Sequence, residues 1–356
     1  MNALDTIDQL RALDTQDMYG NIWRLPEQMT DARKLAEKWP FDPAEFEGAR
    51  NIVLAGMGGS AIGGDLVRSL WADSLAVPFV VCRNYRLPEF VDDETLVIVS
   101  SYSGNTEETL ATLSDALSRK AMVVAATTGG RLAARAKEEG FPCLALPSGM
   151  QPRAAIGFAT IPLLYLFEKL GFAREVDFAV SEMILTLKDR RKLFSSEVET
   201  DANPAKKIAA ALHGRVPLIY GGPELTDAVA VRWRGQISEN AKSVAFSNVF
   251  PEMNHNELVG WSKVAAAYAD KLAVVLLRDE EDNPRVKFRM DRFRDTVTSL
   301  GAPMFEVASF GSGRLARQFS LVQFGDFVSY YLALQNGVDP TPVAAIEDLK
   351  AALARV

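Results

Sequence analysis

Apolar residues along the chain fall into two alternating spacings. Short, nearly continuous runs of Val, Ile, Leu and Ala occur at 51–55, 79–82, 96–100, 122–126 and 142–146. Between them, segments such as 62–70 and 107–117 carry apolar residues three and four apart. A run that is apolar at every position predicts a strand buried on both faces, and the wider spacing predicts a helix with one packed side. Such strands alternating with helices imply a parallel sheet covered on both faces, one doubly wound unit. Ahead of this pattern, Leu10, Leu13, Met18, Ile22, Leu25 and Met29 stand at roughly helical spacing and predict a helical segment over the first ~48 residues.

The alternation then repeats. A strongly apolar helix is expected over 154–170, followed by the charged stretch 188–200 (KDRRKLFSSEVET), read as a hinge. Strands are expected again at 216–220, 244–249, 272–277 and 304–308, the first of them ending in Gly221-Gly222. Domains are therefore expected at 1–185, the helical segment plus a first α/β unit, and at 186–356, a second α/β unit with a C-terminal tail. Two such halves are expected to face one cleft. A length of 356 residues fits two cores better than one, since single cores stop growing near ~250–300 residues.

Charge and composition narrow the partners. A net charge of −7 gives no basic face for nucleic acid or an anionic membrane, so an anionic ligand would need a local cluster of donors. The run 154–167 is too short to span a bilayer, which takes ~20 residues. Residues 1–13 contain Asp5, Asp8 and Arg11 and no apolar core of a signal peptide, so a cytoplasmic protein is expected. Cys82 and Cys143 each lie in an apolar stretch and read as strand residues rather than a bridge. Two cysteines and two dispersed histidines do not make a typical zinc shell, and no metal or cofactor is expected.

Two loops carry candidate chemistry. Gly56-Met57-Gly58-Gly59-Ser60-Ala61 follows a strand and opens a helix, where glycines let the backbone approach a ligand and free N–H groups attract anions. Three readings stay open for it: a phosphate-type site, a dinucleotide fingerprint, or a tight turn with no ligand. After the second strand comes Cys82-Arg83-Asn84, where Arg83 would suit only a 2′-phosphorylated dinucleotide. The second loop, Ser101-Tyr102-Ser103-Gly104-Asn105-Thr106, also joins a strand to a helix. There the hydroxyls of Ser101, Ser103 and Thr106 converge with fresh helix N–H groups, at the edge where open α/β sheets bind ligands. Helix capping by Ser103 or Asn105 needs one such residue, not three hydroxyls and a glycine.

This second loop resembles the phosphate loop of the sugar isomerase (SIS) domain family, which also has a Gly-Gly-Ser loop before it. The ordered set Gly58-Gly59-Ser60, SYSGNTEET, Gln151-Pro152-Arg153, Ser238-Glu239-Asn240-Ala241-Lys242, Pro251-Glu252-Met253-Asn254-His255-Asn256-Glu257 and Leu349-Lys350 extends that resemblance over nearly the whole chain. Together these resemble the bifunctional phosphoglucose/phosphomannose isomerases of archaea and bacteria. The resemblance implies two flavodoxin-like SIS domains and an aldose–ketose isomerase acting on hexose 6-phosphates without a cofactor. It implies that Gly58, Gly59, Ser60, Ser101, Ser103 and Thr106 line the phosphate site.

The same resemblance assigns the chemistry. Glu239 is implied as the base that moves a proton between C1 and C2, a task for a carboxylate poised near working pH. Arg153 is implied to stabilise the enediolate; at a helix start it opposes the dipole unless an anion is near. His255 and Lys350 are implied to open the sugar ring, His255 being supplied by the neighbouring subunit of a homodimer. His213, before Gly214, is accounted for by a helix end. Thr341, in Asp339-Pro340-Thr341-Pro342, is a candidate for epimer selectivity. Two rivals remain: a non-catalytic sugar-phosphate regulator on the same fold, and an NADP-dependent oxidoreductase using Gly56–Ala61 and Arg83. A related amidotransferase lacks support, since no cysteine follows Met1.

Overall fold

In a computed structural model, residues 3–6, 11–353 and 355 are described; Leu10 and Asp8 lie outside them. The chain forms two compact units. One comprises Arg24–Thr186 and Gly311–Arg317, the other Met1–Trp23, Leu187–Phe310 and Gln318–Val356. Helices α1 (Met18–Trp23) and α2 (Leu25–Lys38) come first. The strands and helices of the first sheet then alternate: β1 (Asn51–Gly56), α3 (Gly58–Leu70), β2 (Phe79–Cys82), β3 (Thr95–Ser100), α4 (Glu107–Ser118), β4 (Met122–Thr127), α5 (Gly130–Glu139) and β5 (Cys143–Ala145).

All pairs in this sheet are parallel, in the order β2-β1-β3-β4-β5. That is the flavodoxin-like order, in which the connection reverses direction between β1 and β3 and ligands bind beyond the strand ends there. The apolar runs form strands because both faces are covered: every residue of β3 and all but the first of β1 are buried. Helix α6 (Ile156–Lys169) is apolar nearly all round, and 11 of its 14 residues are buried, so it serves as core rather than surface. Gly63 of α3 lets that helix touch α6, since a Cβ there would stand 2.6 Å from the Ala159 carbonyl oxygen. Next come α7 (Val176–Arg190) and α8 (Pro204–Leu212).

The second sheet contains β6 (Val216–Gly221), α9 (Asp227–Ala241), β7 (Phe246–Val249), β8 (Leu272–Arg278), α10 (Pro284–Ser299) and β9 (Met304–Ala308), all strand pairs parallel and ordered β7-β6-β8-β9. It repeats the first four positions of the first sheet. The chain ends with α11 (Arg314–Gln335) and α12 (Ala344–Leu353). The strands of both sheets occur where the apolar runs predict them, β7 beginning two residues late at Phe246. Among the described residues no helix is long and apolar enough to cross a membrane. Cys82 and Cys143 are free thiols within β2 and β5.

Two segments depart from a single cut between 185 and 186. Met1–Trp23 belongs with the second-sheet unit. Asp5 accepts hydrogen bonds from the Thr200 N–H and hydroxyl, both at 2.8 Å, and the Tyr19 ring lies 5.5 Å from that of Tyr330. The Arg191 guanidinium donates to the Trp23 carbonyl at 2.7 Å. Gly311–Arg317 belongs with the first-sheet unit, because the Glu182 carboxylate accepts from the Ser312 and Gly313 N–H groups and Arg314 pairs with Asp73 at 2.9 Å. The chain passes from one unit to the other at Thr186–Leu187, just ahead of the charged 188–200 stretch. Helix α7 runs into it, a 3-10 turn follows at Arg191–Phe194, and Phe194 is buried edge-on against Phe324. Its charges flank an apolar anchor.

Beyond β8, the carboxyl of Asp282 is buried against Gly222, where a Cβ would approach Asp282 Oδ1 to 2.5 Å. Burial pushes its pKa up to about 6, and nearby Asp279 adds to the rise. An aspartate whose folded pKa lies above its unfolded value binds its proton more tightly in the folded state, so stability falls as pH rises from about 4 to about 6 and then levels. Replacement Asp282→Asn, which keeps an acceptor for the Asp279 N–H at 2.9 Å, removes that titration. Its unfolding free energy relative to wild type, read from urea transitions, is expected to rise by on the order of 2 kcal/mol between pH 4 and pH 7. Parallel profiles for the two proteins would contradict it.

Candidate functional site

Both candidate loops occur at the reversal point of the first sheet. Gly56 ends β1 and Ser100 ends β3, and the two are register partners. A Cβ on Gly56 would stand 2.8 Å from the Ser100 carbonyl oxygen, so only glycine fits. The Ser60 hydroxyl accepts from the Tyr102 N–H at 3.2 Å and ties the two loops together. Gly59 brings a third segment in, since a Cβ there would lie 2.6 Å from the Pro152 carbonyl oxygen. The 3-10 turn Pro152–Ala154 places Arg153, only 4% exposed, directly before α6. The structure therefore brings Gly58–Ser60, Ser101–Thr106 and Arg153 together in one unit.

Within the second loop the hydroxyls do not cap. Thr106 is the N-cap of α4, but its side chain makes no capping bond and meets the Ser101 hydroxyl at 2.9 Å instead. The Asn105 side chain accepts from the Arg131 N–H at 3.0 Å, outside its own helix. Ser103 is exposed, and its hydroxyl accepts the neighbouring Asn105 N–H at 3.3 Å. Gly104 has φ +69° and lies against the Gly129 carbonyl, which excludes any side chain. Hydroxyls and helix N–H groups at such an edge suit a dianionic phosphate. Arg83, the residue the dinucleotide reading would use, is paired with Asp65 of α3.

Two supports escaped the sequence reading. The Gln28 side chain donates to the Ala154 carbonyl at 2.8 Å and accepts the Gly157 N–H at 2.6 Å, fixing the turn that holds Arg153. The Tyr102 hydroxyl donates to the Pro147 carbonyl at 2.9 Å and accepts the Met150 N–H at 3.2 Å; burial pushes its phenol up, which keeps it a donor. Tyr102 lies inside the motif, and an aromatic among serines was the available signal. Gln28 carried none.

The second-sheet unit presents different residues. At the place corresponding to the hydroxyl loop, after β8, it has Asp279-Glu280-Glu281-Asp282. Glu239 is half-buried near the end of α9. That helix is fixed against α11 by a buried row: Arg232 bonds both oxygens of Asp326 at 2.9 and 2.8 Å, Gln236 adds 2.8 Å, and Asn240 reaches Ser329 at 2.9 Å. Lys242 adopts φ +54° and turns its ammonium back onto the Glu239 carbonyl at 2.6 Å and the Pro340 carbonyl at 3.1 Å, closing the helix C-terminus. Thr341, next to Pro340, is buried.

His255 is exposed at the end of the 3-10 turn Glu252–His255. Lys350 is exposed on α12, a helix with no buried residue. His213 occupies the C-cap of α8, its Nδ1 2.7 Å from Asn336. Exposed apolar side chains gather in the elements around His255: Phe246 is 57% exposed, Val259 80% and Val264 72%.

The approach at Gly59 can be tested directly. Gly59→Ala must push the loop from Pro152, at a cost of about 1–3 kcal/mol. Inorganic phosphate is expected to raise the melting temperature of wild type, and the variant is expected to need at least tenfold more phosphate for the same shift. An unchanged titration would show that these backbones need not touch.

A family model described as the bacterial phospho-glucose isomerase C-terminal SIS domain matches residues 201–353. A bifunctional phosphoglucose/phosphomannose isomerase from Caldicellulosiruptor bescii is 43% identical over 339 residues, 95% of this chain and 99% of the relative. A D-glucosamine-6-phosphate 4-epimerase from Sulfolobus acidocaldarius is 35% identical over 280 residues, 77% of this chain and 85% of that one. Among solved structures, a hypothetical protein from Thermus thermophilus superposes with a TM-score of 0.75 at 18% identity, covering 98% of this chain and 92% of its own, which shows the shared fold. On the strength of the near-complete match to the first relative, the chain belongs to the bifunctional phosphoglucose/phosphomannose isomerase family.

Proposed function

We propose that this protein is an aldose–ketose isomerase that interconverts glucose 6-phosphate and mannose 6-phosphate with fructose 6-phosphate through an enediolate. The observation that carries this reading is the 43% identity to a bifunctional phosphoglucose/phosphomannose isomerase along 99% of that relative's length. The loops at the edge of the first sheet support this reading. Hydroxyls of Ser103 and Thr106 and the first N–H groups of α4 receive the 6-phosphate, with Ser101 bracing Thr106 and Gly58-Gly59-Ser60 forming the adjoining wall. Fixing a remote dianion lets binding free energy orient the reacting carbons.

His255 and Lys350 assist ring opening. Glu239 then takes the proton from the carbon next to the carbonyl and returns it to the neighbouring one, which converts aldose to ketose without a redox partner. Arg153, buried beside the Gly59 loop, stabilises the enediolate oxygens. Carbon 2 is planar in that intermediate, so proton return to either face yields glucose or mannose stereochemistry. A rigidly held α9 supports this role for Glu239, because a base must keep its distance to two carbons in turn.

The protein is further read as a cytoplasmic homodimer in which His255 serves the partner's site. The exposed Phe246, Val259 and Val264 near that residue support a covered face. A second reading, sugar-phosphate 4-epimerisation, is favoured by the 35% identity to the Sulfolobus enzyme.

Coupled assays of fructose 6-phosphate formation test the main reading. Wild type is expected to convert both aldoses, and Glu239→Gln to lose at least about a hundredfold in kcat. An undiminished Glu239→Gln removes that residue as the base. An inactive wild type favours a non-catalytic regulator, whereas turnover of D-glucosamine 6-phosphate alone favours the epimerase. Mixing Glu239→Gln with His255→Asn subunits after partial unfolding tests the shared site. Random pairing makes half the dimers mixed, each with one intact site if His255 crosses over, so about a quarter of wild-type activity should return. No recovery places both residues in the same chain's site.

A further inference from the structure

The imidazole of His255 is exposed, so its own surroundings do not fix where it is presented. What is fixed is the segment that carries it. Met253 and Trp261 are buried in the core formed with Tyr220, Phe250 and Phe293, one on each side of the 254–260 stretch. Between them Glu257 turns its carboxylate back toward the sheet. One oxygen accepts from the Tyr220 hydroxyl and, at 3.3 Å, from the Trp261 indole N–H; the other accepts from the Asn248 amide at 2.6 Å.

These three donors are uncharged and come from fixed places. Tyr220 and Asn248 are register partners across β6 and β7, so their side chains leave the sheet on the same face. Asn248 Oδ1 accepts the Val249 N–H at 2.8 Å, which turns the Asn248 NH₂ group toward Glu257. Burial and the adjacent carboxylate push the Tyr220 phenol far up, so it remains a donor. The stretch is braced a second time around the histidine: the Asn256 amide donates to Glu252 at 3.0 Å and its carbonyl accepts the Glu257 N–H at 2.6 Å.

From this arrangement we infer that Glu257 is the positioning residue of the His255 loop, acting on the reaction only through where it sets that imidazole. The inference rests on the role given to His255 above. Only a carboxylate satisfies the three donors with two acceptor oxygens. A glutamine keeps one oxygen for Tyr220 and Trp261 but sets its own NH₂ against that of Asn248, releasing one side of the anchor.

The test is a double-mutant cycle in kcat/KM for glucose 6-phosphate with Glu257→Gln and His255→Asn. Glu257→Gln alone is expected to lower kcat/KM by about ten- to a hundredfold, mainly through kcat, since small misplacement of a reacting group is costly. In the His255→Asn background it is expected to cost less than about threefold. Tyr220→Phe, which removes one donor from outside the loop, replaces Glu257→Gln in the cycle should that variant not fold. Additive losses, or a folded Glu257→Gln with wild-type kcat/KM, overturn the inference while leaving His255 in place. A fully active His255→Asn overturns the role of His255 itself, and this inference with it.

Discussion

Four stretches of backbone, around residues 56–59, 100–104, 129 and 152, meet beyond the strand ends of the first sheet, and the architecture of that edge depends on their close approach. Gly56 lies against Ser100, Gly59 against Pro152 and Gly104 against Gly129, each too close for a side chain. The approach lets the Ser60 hydroxyl hold Tyr102 and sets the turn with Arg153 beside the loop that follows β1. Thr106 bonds Ser101 rather than capping α4, so its side chain leaves the first N–H groups of that helix uncapped. Gln28 and α6 then brace the Arg153 turn from behind.

The second-sheet unit shares the strand plan but not this edge. Where the first has hydroxyls after its third strand, the second has four carboxyl side chains, Asp279 to Asp282. Acidic groups disfavour a phosphate, so the proposed phosphate loop has no counterpart at this place in the second unit. What the second unit contributes is rigidity in a different place. The Arg232–Asp326–Gln236 cluster ties α9, which carries Glu239, to α11, and Lys242 closes its end. The anchor of Glu257 on Tyr220, Asn248 and Trp261 does for a loop what that cluster does for a helix.

Much of the fold is legible in the sequence, because continuous apolar runs such as Leu96–Val99 have no other place than a doubly covered sheet. The hydroxyl loop was legible for the same local reason, since strand end, hydroxyls and helix start are all adjacent in the chain. Contacts between distant residues were not. Gln28 meets Ala154 across 126 positions and Tyr220 meets Glu257 across 37, and no periodicity marks either pair. Nor did charge content show that the 188–200 stretch is held by Phe194, or that Asp5 and Tyr19 attach the N-terminal segment to the second unit. Glu239, His255 and Lys350 are singled out by resemblance alone; their local patterns are those of ordinary surface residues.

Isotope exchange reads proton transfer through an enediolate directly. Fructose 6-phosphate would be incubated with the enzyme in deuterium oxide and the products followed by proton NMR. Because the proton held on Glu239 exchanges with solvent in some turnovers before its return, deuterium is expected at C2 of both glucose 6-phosphate and mannose 6-phosphate and at C1 of the ketose, with C4 unchanged. Complete retention of protium at C1 and C2 during turnover, or inversion at C4, would contradict it.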